Sequence, residues 1–233
     1  MKSRLAAPEG LIDLRGISDL HGISCDGEQL IIGAATTHTT VATSELVKKS
    51  IPALARLAGS IADPQVRNVG TIGGSVANND PSADYPSAML GLDATIVTNT
   101  RRIAAGEFFA GLFKTALEHG EIITRMEVPV PLSAGYAKIC SRASRYAMAG
   151  SFIVRKADAV HVAITGSGQD GVFRWVEAEA KLTENFAVET LKDLIPDTNQ
   201  LVTDLHGDAC YRAHLVAEVT RQAVAHMGSA YIR

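Results

Sequence analysis

One stretch of this sequence combines glycines with small polar side chains in a way that suits anion binding. It reads Arg67-Asn-Val-Gly-Thr-Ile-Gly-Gly-Ser-Val-Ala-Asn78. Because Gly73 and Gly74 lack a Cβ atom, the backbone there can take positive φ angles and leaves room for a ligand. Successive amides in such a turn form a concave anion-binding nest, and the hydroxyls of Thr71 and Ser75 would add donors. The segment therefore predicts a cradle for a phosphate or a diphosphate.

The same residues also suit an ordinary turn between two apolar segments, and the residues alone leave that alternative open. The segment lacks both the Gly-Lys-Ser/Thr ending of a P-loop and the G-x-G-x-x-G spacing of dinucleotide-binding folds. Asp84, at the start of a predicted short helix, either caps that helix or accepts hydrogen bonds from a ribose or an adenine amine. If this segment binds a phosphate, it therefore does so in a fold other than the P-loop and the G-x-G-x-x-G dinucleotide-binding folds.

Composition and charge exclude several classes of protein. The chain has 233 residues, of which 46% are hydrophobic and 20% charged, as in ordinary globular proteins. The net charge of -3 argues against nucleic acid as a partner, which requires a basic face. No apolar run is long enough to span a membrane, and residues 1–8 lack the apolar region of a secretory signal. We expect a cytoplasmic protein.

The three cysteines predict no cross-link and no metal cluster. Cys25, Cys140 and Cys210 are odd in number and far apart, which excludes a disulfide scaffold. The absence of C-x-x-C spacing excludes an iron–sulfur or zinc cluster built by this chain alone. We expect three reduced thiols in or near the core and no metal site.

Hydrophobic periodicity and turn residues predict two α+β domains, residues 1–130 and 131–233, divided at Pro129-Val-Pro131. The predicted strands cover residues 11–14, 30–33, 94–98, 122–128, 136–140, 151–155 and 160–165. The predicted helices cover residues 39–49, 53–61, a short segment capped by Ser82, 177–182, 188–194 and 208–227. Residues 62–84 are predicted to be irregular because glycine, asparagine and proline are frequent there. The candidate phosphate cradle lies inside that irregular segment.

A longer comparison of motifs points to a family. Residues 66–84 closely resemble the second FAD motif of the medium (flavoprotein) subunits of molybdenum hydroxylases, which include the carbon monoxide dehydrogenase type and the flavin domain of xanthine dehydrogenase. Four further segments resemble the same family in the same order: residues 32–38, 144–150, 166–173 and 205–215. This collinearity covers nearly the whole chain and is more specific than any single motif.

The resemblance implies a set of FAD contacts. The residues that would hold the FAD diphosphate are Thr71, Ile72, Gly73, Gly74 and Ser75. Asp84 would lie on the ribose or adenylate side, Ile123 would line the flavin site, and Lys138 would be a flavin-proximal lysine. For Ile123 a strand core position, and for Lys138 an ordinary surface position, are the alternatives.

The resemblance also implies a function and partners. The chain would be an oxidoreductase subunit whose FAD takes electrons from [2Fe-2S] clusters of a small subunit and passes them to an acceptor. A molybdopterin-binding large subunit would hydroxylate the substrate, and a homodimer of heterotrimers is one such assembly. No catalytic side chain is expected; His38 is the best candidate for acid–base chemistry, but a local hydrogen-bonding role is preferred. The alternatives are a scaffold without FAD and a free-standing nucleotide-binding module.

One part of the family pattern is missing. Family members carry a β–α–β unit with an Ala-Gly-Gly-x-Ser loop just before the segment that residues 1–8 resemble, and this loop supplies the other half of the diphosphate cradle. We therefore expect an N-terminally incomplete FAD-binding domain. Losing two or three hydrogen bonds to a charged group, at about 1.5–3 kcal/mol each, would weaken FAD binding by roughly 10² to 10⁶.

Overall fold

The computed structural model describes residues 10–227, so residues 1–8, next to the expected missing loop, lie outside the described part. In that part the α-helices are α1 (His38–Thr43), α2 (Glu45–Ser50), α3 (Pro52–Gly59), α4 (Pro64–Val69), α5 (Ile72–Asn78), α6 (Tyr85–Gly91), α7 (Ala105–Phe108), α8 (Val176–Glu184) and α9 (Ala209–Met227). The strands are β1 (Ile23–Asp26), β2 (Gln29–Gly33), β3 (Thr95–Thr98), β4 (Arg102–Ala104), β5 (Phe109–Gly111), β6 (Lys114–Thr115), β7 (Ile123–Pro129), β8 (Ser133–Cys140), β9 (Ala147–Arg155), β10 (Val160–Thr165) and β11 (Phe173–Arg174). Short 3-10 helices cover Ser18–Leu20, Val188–Leu191 and Thr198–Gln200.

The first sheet is antiparallel, with the strand order β1-β2-β7-β3-β4. Ile32 pairs with Met126, and Met126 pairs with Ile96 on the other side, so the three side chains form a row across the sheet. All three are fully buried against the helices of the first core. Each such side chain contributes about 1.5–3 kcal/mol through burial, so this row fixes the register on which the candidate site stands.

Two short helices occupy the segment predicted to be irregular, so that prediction is wrong. The Asp63 carboxylate accepts a hydrogen bond from the amide of Val66 and starts α4. The Thr71 hydroxyl starts α5 in the same way, and Asn79 ends α5 in the left-handed conformation with φ 44°. Local caps and the burial of Val76 therefore outweigh the weak helix propensity of the glycines.

Other predicted elements also differ from the structure. The helix predicted over residues 39–49 is divided at Ser44, whose extended backbone and side chain cap α2. Residues 11–14 form no strand, and Leu11 and Ile12 are exposed. Only Val188–Leu191 of the helix predicted over residues 188–194 forms, as a 3-10 turn. The helix after Ser82 has Asp84 at its N-cap position instead.

The second sheet has the order β11-β10-β9-β8, and its predicted strands and the long last helix are confirmed. Helix α9 crosses β8 and β9 at close range because Gly135 has no side chain. A Cβ atom at that position would lie 2.2 Å from the carbonyl oxygen of Ala223. The close approach buries Val216 and Val219 in a second core with α8.

The two sheets share buried side chains. Tyr136, Phe152 and Val154 come from the second sheet, yet they pack in the first core. Helices α3 and α6 contact strands of the second sheet, so the two halves of the chain meet along α6. This contact places the start of α6 beside β8, where the candidate site lies.

Candidate functional site

Two neighbouring cavities meet at the start of α5. The first cavity has a volume of about 430 Å³ and is lined by α4, α5, the segment before α6 and the turn between β8 and β9. The second cavity has a volume of about 280 Å³ and is mainly apolar, with Leu20, Ala77 and Ile123 in its wall. Thr71 and Gly74 line both cavities, so these two residues form the surface that joins them.

The two glycines serve different purposes, and the expected nest with positive φ angles is wrong. Both lie within helix α5, and neither has a positive φ angle. A Cβ atom on Gly73 would lie 2.5 Å from the Cβ atom of Ala34 and 2.7 Å from its carbonyl oxygen, so glycine is needed there for packing. A Cβ atom on Gly74 would approach only the Thr71 hydroxyl, at 3.0 Å. Gly74 is exposed, and it keeps the surface between the cavities bare.

The amides of this segment are also used inside the protein. The amide of Gly73 donates to the carbonyl of Ala34 at 2.9 Å, and that of Gly74 donates to the Thr71 hydroxyl at 3.1 Å. The physical reason is that Thr71 caps α5 and so takes the donor that an open turn would leave for a ligand. The segment thus offers a ligand close access to bare backbone, and it does not offer a ring of unpaired amides.

Asp84, Tyr136 and Lys138 form a buried polar cluster. The Nζ atom of Lys138 lies 2.9 Å from Oδ1 of Asp84, and the Tyr136 hydroxyl donates to the same oxygen. The side chains of Lys138 and Asp84 are only 9% and 6% exposed, so the surface alternative for Lys138 is wrong. Asp84 occupies the N-cap position of α6 but makes no capping hydrogen bond with its side chain.

Burial dominates the electrostatics of this cluster. It raises the pKa of the Asp84 carboxyl above its usual range, although Lys138 and Tyr136 act in the opposite direction. Burial, with the negative charge of Asp84, also raises the pKa of Tyr136 well above its usual value of 10. Tyr136 therefore stays protonated and donates to Asp84, while Lys138 supplies the neighbouring positive charge.

The structure brings only part of the expected set together. Asp84 and Ser75 line the first cavity, whereas Ile123 lines the second. Ile72 is fully buried in the core and Lys138 lies behind Asp84, and among the described residues neither lines these two cavities. Lys138 therefore contacts Asp84 and does not form part of the wall of either cavity.

His38 also lines the first cavity and is 5% exposed. Its Nδ1 atom has no hydrogen-bond partner among the described residues, so the preferred local hydrogen-bonding role lacks a partner at that atom. Burial, and then the charge of Arg67, lowers the pKa of His38 to about 4. At neutral pH the cavity therefore has a neutral imidazole in its wall.

Sequence reasoning missed other residues of the first cavity, namely Val66, Val69, Arg145 and Tyr146. The two valines are exposed on α4, and their spacing of three would have shown a helix face had that segment not been taken as irregular. Arg145 and Tyr146 belong to a segment quoted for its family resemblance, but nothing in their types assigned them to a cavity.

The cysteines take no part in these cavities. All three are exposed free thiols, so the expectation that they lie in or near the core is wrong. Within residues 10–227, no three His, Cys, Asp or Glu side chains are grouped so that they could hold a metal ion. Within the same range, no helix is long and apolar enough to span a bilayer.

Comparison with known proteins establishes the family. A family model described as the FAD binding domain in molybdopterin dehydrogenase matches residues 1–131. The chain belongs to this family. The carbon monoxide dehydrogenase medium chain of Afipia carboxidovorans is 34% identical, over 96% of this chain and 83% of the relative. The nicotine 6-hydroxylase medium subunit of Paenarthrobacter nicotinovorans is 31% identical, over 98% and 86%.

Solved structures agree. Reconstituted CO dehydrogenase from Oligotropha carboxidovorans matches with a TM-score of 0.86 and 31% identity, over 97% of this chain and 85% of that one. The predicted α+β fold and the predicted family are confirmed, and the chain is an FAD-binding subunit of an oxidoreductase.

The site fits this cofactor in shape. Gly74 leaves open a place that any side chain would fill, and it joins two cavities, of which the first lies within the size range of ligand pockets and the second just below it. This shape suits a dinucleotide, in which a narrow diphosphate joins two bulky ends.

Proposed function

We propose that this chain is the flavoprotein subunit of a molybdenum-containing hydroxylase. Its FAD would take electrons from the [2Fe-2S] clusters of a small subunit and pass them to an acceptor, while a large subunit carries molybdopterin. Family membership and the medium subunits among its relatives support this role. FAD supplies the redox chemistry when it is bound, and the residues of this chain bind the cofactor and orient it.

The observation that carries the binding mode is the bare surface at Gly74 between two cavities. A dinucleotide has two bulky ends joined by a diphosphate, so we place the diphosphate over Thr71, Gly74 and Ser75. One end then lies in each cavity. In this arrangement the glycine segment contacts the diphosphate through its backbone, which can lie close to the ligand because Gly74 has no side chain.

The two ends can be assigned by size. The resemblance gives both Ile123 and Lys138 to the flavin, but they stand beside different cavities. The tricyclic isoalloxazine is the larger end and suits the first and larger cavity. Asp84 lines this cavity, and Lys138 is paired with Asp84. We therefore place Ile123 against the adenosine end, and Asp84 beside the flavin instead of the adenylate.

A steric variant tests this binding mode. In Gly74→Val the added bulk displaces the diphosphate, and overpacking of about 1–3 kcal/mol corresponds to a roughly 5- to 150-fold loss of FAD affinity. Quenching of FAD fluorescence on titration measures the affinity, and urea unfolding shows that the variant is folded. Gly106→Val is the matched control, since a Cβ atom there meets nothing within 4 Å and α7 lies outside both cavities.

A folded Gly74→Val variant with unchanged FAD affinity would contradict the binding mode. Failure of the unaltered chain to bind FAD at any concentration would instead support the scaffold alternative.

The partners need a separate experiment. The tagged chain, purified from its native host, is expected to bring down a cysteine-rich small chain and a larger chain. Elemental analysis of that complex should show molybdenum and iron, and its mass should match a homodimer of cytoplasmic heterotrimers. Recovery of the chain alone with bound FAD would contradict this proposal and favour the free-standing module.

A further inference from the structure

Arg145 brings a positive charge to the rim of the first cavity. It lies in the turn between β8 and β9 and is exposed. Of the described residues that line this cavity, it is the one with a cationic side chain at neutral pH, since the pKa of His38 is lowered to about 4. The second cavity has Arg15 in its wall, but Asp13 holds that guanidinium at 2.7 Å.

The side chain of Arg145 is held weakly, while its backbone is held firmly. Its guanidinium donates to the carbonyl of Ala62 at 3.3 Å. That carbonyl also accepts a 2.9 Å hydrogen bond from Arg67, so it keeps a partner when Arg145 turns away. The amide of Arg145 donates to Ser141 at 2.9 Å, which fixes the turn during such a movement.

The backbone amides and the lysine near the glycine segment offer an anion little compensation. The amides of Gly73 and Gly74 donate within the protein, and the Lys138 ammonium is paired with Asp84. Arg67 also lies near this cavity, but its guanidinium donates to the carbonyls of Ile61 and Ala62 at 2.7 and 2.9 Å. Arg145 is therefore the cation of the cavity wall that is free to pair with a diphosphate lying over Gly74. Arginine suits this task because its planar guanidinium can bond two phosphate oxygens at once.

We propose that Arg145 leaves the Ala62 carbonyl when FAD binds and pairs with the diphosphate of the cofactor. The inference rests on the proposed function and deepens it, since it identifies the residue that recognises the anionic part. It predicts that Arg145 distinguishes FAD from riboflavin, which has the same isoalloxazine ring and no phosphate.

The test compares both flavins on the full chain by fluorescence titration. Arg145→Gln is expected to weaken FAD binding roughly tenfold, the lower end for a hydrogen bond to a charged group, because the site is exposed. Riboflavin affinity should change less than about twofold, and high salt should reduce the FAD difference because it screens the pair. Arg145→Lys should recover part of the FAD affinity. Arg142→Gln, in the same exposed turn, is the matched control and should leave both affinities unchanged.

Three results would overturn the inference. In the first, Arg145→Gln binds FAD as the unaltered chain does. In the second, both flavins lose affinity equally, which assigns Arg145 a role in holding the turn. In the third, the unaltered chain binds neither flavin, so the proposed function itself fails. Normal FAD binding by Arg145→Gln, with a loss in Gly74→Val, would remove the inference and leave the proposed function intact.

Discussion

Two regions of this protein hold buried carboxylates in opposite ways. At the corner between β3 and β7, the Glu121 carboxylate accepts five hydrogen bonds, from Thr98, Thr100, Arg101 twice, and the amide of Glu118. At the first cavity, the Asp84 carboxylate receives hydrogen bonds from Tyr136 and Lys138. The first carboxylate is saturated by the protein, and the second keeps acceptor capacity beside a cavity.

The pKa values of the two groups move in opposite directions. The hydrogen bonds from Arg101 and Thr98 lower the pKa of Glu121, whereas burial raises the pKa of Asp84. Where a carboxylate holds a corner of the fold, the protein completes its partners. At the first cavity the protein leaves the Asp84 carboxylate only partly satisfied, so a ligand can complete its hydrogen bonds.

The largest expected effect comes from removing Asp84. Asp84→Ala leaves the Lys138 ammonium largely buried without its partner, which costs about 3–5 kcal/mol for such pairs. Urea unfolding at neutral pH measures the loss. The double variant with Lys138→Met should recover much of it, because the unpaired charge is then gone. A loss below about 1 kcal/mol would show that Lys138 reaches water easily and that the cluster resembles an ordinary surface pair.

An acid-dependent loss of stability is expected from His38. Its pKa is 6.5 when unfolded and about 4 when folded, so the unfolded state binds the proton first. The stabilisation is full above pH 6.5 and is lost as the pH falls to about 4, by up to about 3 kcal/mol. Urea unfolding from pH 7 to pH 4 should show that His38→Gln removes this dependence. His119→Gln, at an exposed histidine, is the control; equal pH dependence in both variants would show that His38 is not the group responsible.

The smallest expected effect concerns Glu121, because its partner Arg101 is 42% exposed and solvent screens the pair. Its lowered pKa means that its contribution is full above the ordinary value of 4.5 and is lost as the pH falls below it. Asp84 has the opposite sign, since its raised pKa favours the folded state at low pH. Glu121→Gln should therefore reduce the loss of stability below pH 4.5, whereas Glu118→Gln, at its 77% exposed neighbour, should not. If the unfolding midpoints of Glu121→Gln and Glu118→Gln fall equally as the pH is lowered, the proposed role of the Glu121 carboxylate is contradicted.

The sequence by itself determined the elements whose signals are local and the family. Alternating apolar residues marked β9 and β10, Pro52 marked the start of α3, and the collinear motifs identified an FAD-binding subunit. These signals are readable in the sequence because each depends on residues that are close together in the chain or on the order of motifs along it. The class of cofactor therefore followed from the resemblance to the family, whereas the glycine segment by itself left an ordinary turn open.

The tertiary structure alone decided how the site is built. Gly73 is needed because Ala34 packs against it, 39 positions earlier in the chain, and Lys138 is buried because it meets Asp84, 54 positions away. The glycine pair suggested a turn, but the Thr71 cap and the packing of α5 made it helical and used its amides. Contacts between distant segments have no periodicity along the chain, so no pattern in the sequence could reveal which polar groups would be satisfied and which would face a cavity.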